Sequence, residues 1–190
     1  MRVAAVVLAA GESRRLGRPK QLLPYRGRPL LCGLASEACA SLCQRVGVVV
    51  AGDEPAVAGC LDGLPVHVLA NPQWAEGMAS SIRRGVAWAD RMACDEVLLL
   101  VCDQPALTSA HLDALIRAHR PGASIVASRY GGAAGVPALF AREMFPSLLA
   151  LRGPVGARGL IRAEENLIAV DWPEGIVDID TPADAARLPP

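Results

Sequence analysis

The residues of this chain whose types and spacing suit chemistry are a group of cations near the amino terminus and carboxylates far from it in sequence. Ala9-Ala10-Gly11 ends an apolar run, and Arg14, Arg15, Arg18 and Lys20 follow closely. Gly11 and Gly17 give the intervening backbone freedom, and Pro19 stiffens it. Small residues at a strand exit followed by converging cations suggest a polyphosphate cradle, where backbone N–H groups can come close to phosphate oxygens. Two better-known phosphate loops do not fit. The dinucleotide fingerprint needs G-x-G-x-x-G and the P-loop needs G-x-x-x-x-G-K-[ST]. Here five residues separate Gly11 from Gly17, and Lys20 lies three beyond Gly17.

Lys20 is the sole lysine; the other eighteen basic residues are arginine. One retained lysine points to a position that needs a compact ammonium rather than a planar fork. Asp103 follows the run Val97-Leu98-Leu99-Leu100-Val101-Cys102 and begins Asp103-Gln104-Pro105. A carboxylate at the end of a buried strand suits Mg²⁺, which prefers oxygen ligands and bridges carboxylates to substrate phosphates. The competing role, capping the next helix, is better filled by Thr108. Asp178 and Asp180 precede a helix start in which Thr181 is the N-cap, Pro182 opens the first turn and Asp184 lies within it.

These groups need elements to hold them. Val3 to Ala9, Val46 to Ala51, Val66 to Ala70 and Glu96 to Cys102 read as strands, the first buried on both faces. Pro29 to Cys43, Ala56 to Leu61, Gly77 to Met92 and Thr108 to His119 read as helices. Such alternation predicts a parallel sheet covered on both sides. If those four strands lie in the order 3-2-1-4, the first and fourth are neighbours at a topological switch point, and Lys20 and Asp103 face one crevice. Ser124 to Ser128 is expected as a fifth strand and Ile176 to Ile179 as a last short one. Gly131 to Gly135 is expected to be a mobile loop bordering a second substrate. Asn71-Pro72 reads as a turn and Gly77 as a helix entry, with Ser80 and Ser81 in the first turn. On the residues alone, capping and ligand contact weigh equally there.

Composition bounds the rest. The chain has 190 residues, 52% hydrophobic and 20% charged, with a formal net charge of zero. That length suits one domain, 1–190, burying roughly 70% of its unfolded surface. Zero net charge gives no electrostatic footprint for nucleic acid or an anionic membrane. No targeting or membrane-spanning segment is visible, which points to the cytoplasm. The six cysteines form no C-x-x-C pair and read as small buried hydrophobes. His67, His111 and His119 fall in strand or helix patterns and are expected to be structural or solvated.

The stretch LAAGESRRLGRPKQLLP resembles the signature of the MobA-like nucleotidyltransferases, LAAG-x-S-x-R-x-G-x-x-K, and most resembles the branch that cytidylates molybdopterin. Further matches are Asn71-Pro72…Gly77-Met78-Ala79-Ser80-Ser81, Cys102-Asp103-Gln104-Pro105, Gly135 to Phe140, Leu151 to Arg158, and Asp178 to Asp184. The resemblance implies a single-domain three-layer α/β/α fold, with a Rossmann-like, mostly parallel sheet of the nucleotide-diphospho-sugar transferase type. It implies that Leu8, Ala9, Ala10 and Gly11 cradle a nucleotide, that Arg15 and Lys20 bind its phosphates, and that Asn71, Ser80 and Ser81 lie against base and ribose. Mg²⁺ is the implied cofactor, held by Asp103 and by Asp178, with Asp180 second to it. CTP and molybdopterin are the implied substrates and a molybdoenzyme the recipient. A guanylyltransferase, a transferase acting on sugar or alcohol phosphates, and a non-catalytic cofactor carrier are the alternatives. One departure stands out: Pro154 replaces the family's Asp, which a helix start would tolerate and a substrate contact would not.

Overall fold

The computed structural model describes residues 1–52 and 54–188. In chain order its elements are β1 (Val3–Leu8), a small hairpin of β2 (Pro24–Tyr25) and β3 (Arg28–Pro29), α1 (Leu30–Ala40), β4 (Arg45–Ala51), α2 (Pro55–Gly59) and β5 (His67–Asn71). Then come α3 (Met78–Arg91), β6 (Glu96–Val101), α4 (Ser109–Ala118), β7 (Ile125–Tyr130) and β8 (Ala133–Ala141). The chain continues with α5 (Phe145–Ala150), α6 (Arg158–Ala163), β9 (Ile168–Asp171) and α7 (Pro182–Ala185).

Seven strands form one sheet in the order β5-β4-β1-β6-β8-β7-β9. Strands β5, β4, β1 and β6 run parallel, β8 is antiparallel to both its neighbours, and β9 is parallel to β7. The order expected for the first four strands therefore holds. β1 lies between β4 and β6, and its side chains divide by parity. Val3, Ala5 and Val7 enter one apolar cluster with Leu30, Leu34, Leu112 and Leu115, from α1 and α4. Ala4 and Val6 enter the other with Ile82, Val86, Leu148 and Ile161, from α3, α5 and α6. A strand buried on both faces needs no polar position, which is why the run is continuous rather than alternating.

Two helix starts follow their sequence signals. The Thr108 side chain accepts from the His111 amide, and Thr181 and Asp184 form a reciprocal capping box. Helix α3 has no side-chain cap. It is preceded by Gly77 at φ 116°, where a Cβ would lie 2.7 Å from the Gly153 carbonyl oxygen. Only glycine permits both that dihedral and that crossing.

Three expectations fail. The 131–135 stretch is not a mobile loop: Gly131 and Gly132 are a two-residue turn at positive φ, and residues 133–135 already belong to β8. Ile176 to Ile179 is not a strand. Ile176 closes a 3₁₀ turn and, like Val177, is exposed, so the apolar spacing there reflects no buried face. The strand that completes the sheet is instead β9, a half-buried edge whose short IAVD run gives no alternation signal. The cysteines are all free, but only Cys94 and Cys102 are fully buried. Burial raises the thiol pKa in both of these, and pushes that of the partly buried Cys43 up to about 11. No helix among the described residues is long and apolar enough to cross a membrane.

Candidate active site

Between the carboxyl ends of β1 and β6 lies a cavity of about 480 Å³. The 9–20 segment forms much of its wall. Its shape comes from a few anchors: Leu16 is buried in the core, the Leu16 and Gly17 amides donate to the Ser13 carbonyl, and the Lys20 amide donates to Ser13 Oγ. The buried Gln21 amide donates to the carbonyls of Ala9 at 2.6 Å and Gly11 at 3.1 Å. With those carbonyls tied back, the amides of Ala10 through Arg15 make no hydrogen bond to protein among the described residues. Ala10 is buried and Ser13 half-buried, while Gly11, Glu12, Arg14 and Arg15 are exposed, so this run of amides is open to solvent or to an anionic ligand in the cavity. A Cβ on Gly11 would meet nothing within 4 Å, so that position opens onto free space.

Lys20 and Asp103 meet here. Lys20 Nζ lies 3.4 Å from Asp103 Oδ2 and 3.0 Å from Asp180 Oδ1, and Arg15 Nη1 lies 3.4 Å from Asp180 Oδ2. Burial is the largest influence on Lys20 and opposes its charge, yet the two carboxylates outweigh it and its pKa is raised. Asp103 is raised as well, because its own burial exceeds the pull of Lys20. The charged side chains lining the cavity are Arg14, Arg15 and Lys20 against Glu12, Asp103 and Asp180, which cancel. A polyphosphate entering this neutral cavity would bring an excess of negative charge.

The donor set fits a magnesium-type ion. Asp103 offers hard oxygen, and Asp178 has no ion-pair partner among the described residues. The Ile179 amide donates to the Asp103 carbonyl at 3.0 Å, pinning the 178–180 segment beside Asp103. Asp180 consequently lines the first cavity, while Asp178 lines a second of about 410 Å³. No group of three or more His, Cys, Asp or Glu side chains is close enough to form a protein-only metal cage among the described residues. Two carboxylates suffice for an ion that also takes phosphate oxygens and water.

The two cavities share Leu8, Met78, Val101 and Asp103 as a common wall. The second is lined mostly by apolar side chains and glycines, among them Ile82, Ala134, Val136, Ala157 and Ile176, with Arg158 its one cation. Its shape is held by Gln104, whose Nε2 donates to Tyr130 Oη and the Val136 carbonyl at 3.1 Å each. Tyr130 Oη donates in turn to the same carbonyl at 2.8 Å. These contacts staple the β7–β8 hairpin to the end of β6.

Of the nucleotide-site residues expected from sequence, Leu8, Ala9, Ala10, Gly11, Arg15, Lys20, Ser81 and Asp103 line the first cavity. Asn71 and Ser80 are buried behind its wall. Gln21, Trp74, Gln104, Tyr130 and Arg158 were not singled out in sequence. Gln21 and Gln104 each adjoin a residue that was, and their contacts exist only across the fold. Pro154 is exposed, lines neither cavity and lies four residues before α6, so it does not open that helix. Its Cα instead meets Gly77 at the start of α3.

None of the histidines lines either cavity. His111 Nε2 lies 2.7 Å from Ser128 Oγ, a spacing that invites comparison with a hydrolytic dyad. Ser128 is fully buried and its hydroxyl donates to the Pro137 carbonyl, so it accepts from His111 and has no proton to give it. Burial holds His111 neutral, with a pKa lowered to about 4.

The family model described as a MobA-like NTP transferase domain matches residues 5–167. A relative from Paenarthrobacter nicotinovorans, named nicotine blue oxidoreductase, is 32% identical over 98% of this chain and 96% of its own. A molybdenum cofactor guanylyltransferase from Rhodobacter capsulatus is 30% identical over 98% and 95%. Among solved structures, the Rv0371C complex with manganese from Mycobacterium tuberculosis superposes with a TM-score of 0.81 at 28% identity, over 99% of this chain and 98% of that one.

Proposed function

This chain belongs to the MobA-like NTP transferase family, and from that premise we propose that it transfers CMP from CTP to molybdopterin or the molybdenum cofactor, releasing pyrophosphate. The observation that carries the reading is the shared wall. A cavity with free amides and converging cations opens, at Asp103, onto a mostly apolar cavity suited to a flat acceptor.

The triphosphate is taken by the amides of Ala10 to Arg15, by Arg15 and by Lys20. Lys20 is the group best placed to neutralise charge on the α-phosphate and the departing pyrophosphate, since its ammonium already lies against Asp103. The acceptor's terminal phosphate, entering past Arg158, attacks the α-phosphorus in line; the new P–O bond forms as the bond to the pyrophosphate oxygen breaks. That phosphate is already anionic near neutral pH, so no side-chain base is needed, consistent with histidines remote from both cavities. Asp103 and Asp178 would hold Mg²⁺, which when bound supplies charge neutralisation on the phosphates. Ala10, where a glycine would leave more room, favours a pyrimidine by about 1–3 kcal/mol at most. A molybdoenzyme would receive the product.

The test is pyrophosphate release from the full chain with molybdopterin, Mg²⁺ and each NTP in turn. Release with CTP is expected, with near-complete loss in Asp103→Asn and Lys20→Ala. Release with GTP alone would move the protein to the guanylyl branch, and turnover only with a sugar phosphate would replace the acceptor. Tight pterin binding without turnover would make it a carrier. Redox turnover of nicotine blue, assayed because one relative matched over 96% of its length is named nicotine blue oxidoreductase, would overturn the transferase reading.

A further inference from the structure

We propose that Asn71, without touching the nucleotide, fixes Ser81 as a hydrogen-bond donor aimed at a lone pair on the nucleobase. The site would thereby prefer a base with an acceptor at that position, as cytosine has at N3, over one with an N–H there, as uracil has. This rests on the cytidylyl reading above and deepens it.

The orientation of the Asn71 amide is settled by its neighbours. Its Oδ1 accepts from the Gln73 backbone amide at 3.0 Å, which leaves Nδ2 facing the two serines. Nδ2 donates to Ser80 Oγ at 2.9 Å and to Ser81 Oγ at 3.1 Å. A flipped amide would set an NH₂ against the Gln73 N–H, where two donors face each other and that bond is lost, so the backbone amide fixes the orientation. The two hydroxyls then differ. Ser80 spends its hydrogen on the Gly77 carbonyl at 2.8 Å, closing its valences inside the protein. Ser81 accepts from Asn71 and makes no hydrogen bond as a donor among the described residues. It lines the nucleotide cavity, whereas Asn71 and Ser80 do not. One O–H hydrogen in this network is thus left over, and it belongs to the one serine that faces the ligand.

That end of the cavity is the base end. Arg15 and Lys20 pair with Asp180 and Asp103, while Ser81 is in the first turn of α3, which follows Gly77 and packs on the Trp74–Glu76 turn. Trp74 gives a face against which a base can pack whatever its identity. A stacking wall does not discriminate among bases, so selection falls to polar groups of fixed sense. A donor whose own acceptor capacity is engaged rejects another donor, since the pair would leave two hydrogens unpaired in a buried site. Guanine also presents acceptors, so this device separates CTP from UTP and not from GTP.

Calorimetric binding of CTP and UTP to the full chain with Mg²⁺ tests the proposal. Wild type should prefer CTP by about tenfold or more, the scale of one hydrogen bond. Ser81→Ala should lose most of that ratio by weakening CTP binding, with UTP little changed. Asn71→Asp keeps the acceptor for the Gln73 amide but turns the Ser81 hydrogen inward, so it should abolish or invert the ratio. In the Ser81→Ala background, Asn71→Asp should leave the ratio where it is, because a positioning residue acts through the group it positions. A ratio unchanged in Ser81→Ala, which does not depend on the folding of the Asn71 variant, overturns the proposal, as does independent action of the two substitutions. Binding of GTP with none of CTP fails the parent reading instead, and is recognised because neither substitution then has a pyrimidine preference to alter.

Discussion

Replacing Gly85 with alanine sets two physical effects of opposite sign against each other. Gly85 lies in α3, where a Cβ would sit 2.3 Å from Val6 Cγ1 and 3.3 Å from both Val6 Cβ and Cγ2. Helix propensity alone favours the alanine by about 1 kcal/mol. The closest of these approaches falls about 1 Å short of ordinary contact, and neither partner yields easily. Val6 is fully buried in the central strand, and its branched side chain has no spare χ1 well. Overpacking of this kind costs about 1–3 kcal/mol, and the closeness here argues for the upper part of that range. The net expectation is a loss of about 1–2 kcal/mol, which lowers the thermal midpoint of a chain this size by about 2–8 °C. Chemical denaturation followed by circular dichroism measures it. Val6→Ala should partly rescue the variant, since the new methyl fills space the valine vacates, giving a favourable coupling above about 0.5 kcal/mol. Helix α3 carries Ser81, so Gly85→Ala should also raise the KM for nucleotide. Stability equal to or above wild type would mean that propensity wins and that α3 does not press on β1 as described.

Asp180→Asn, which removes the carboxylate 3.0 Å from Lys20, should raise the KM for nucleotide. Asp178→Asn should shift the Mg²⁺ dependence of pyrophosphate release to higher concentration, and identical magnesium titrations for the two variants would refute this division. Arg83 holds the Glu76 carboxyl at about 2, below its ordinary 4.5, with help from the Gly153 amide. A lowered folded-state pKa stabilises above the unfolded pKa, and that contribution is lost as pH falls from about 4.5 toward 2. Glu76→Gln should therefore flatten the acid limb of a urea-midpoint against pH curve, and an unchanged limb would refute the assignment.

What the sequence determined by itself is local and periodic. Continuous apolar runs mark strands buried on both faces, Thr108 and Thr181 mark helix starts, and the order of small residues, cations and a lone lysine marks the wall of the first cavity. These are readable because each depends on neighbours a few positions away. The 131–135 stretch misled because two glycines can make either a floppy loop or the tightest of turns. The choice between them came from pairing with β7 and β6. Likewise the apolar residues at 176–179 suggested a strand, but the sheet edge was already taken by β9.

Only the tertiary structure decided which carboxylate belongs to which cavity, since Asp178 and Asp180 are two residues apart and differ only in what Ile179 is tied to. It alone placed Asn71 and Ser80 behind the wall and Ser81 in it, and it alone revealed that Gln21 and Gln104 brace the site. Hydrogen-bond sense depends on which partner lies within about 3 Å, and residues ten or a hundred positions apart acquire that distance only when the chain has folded.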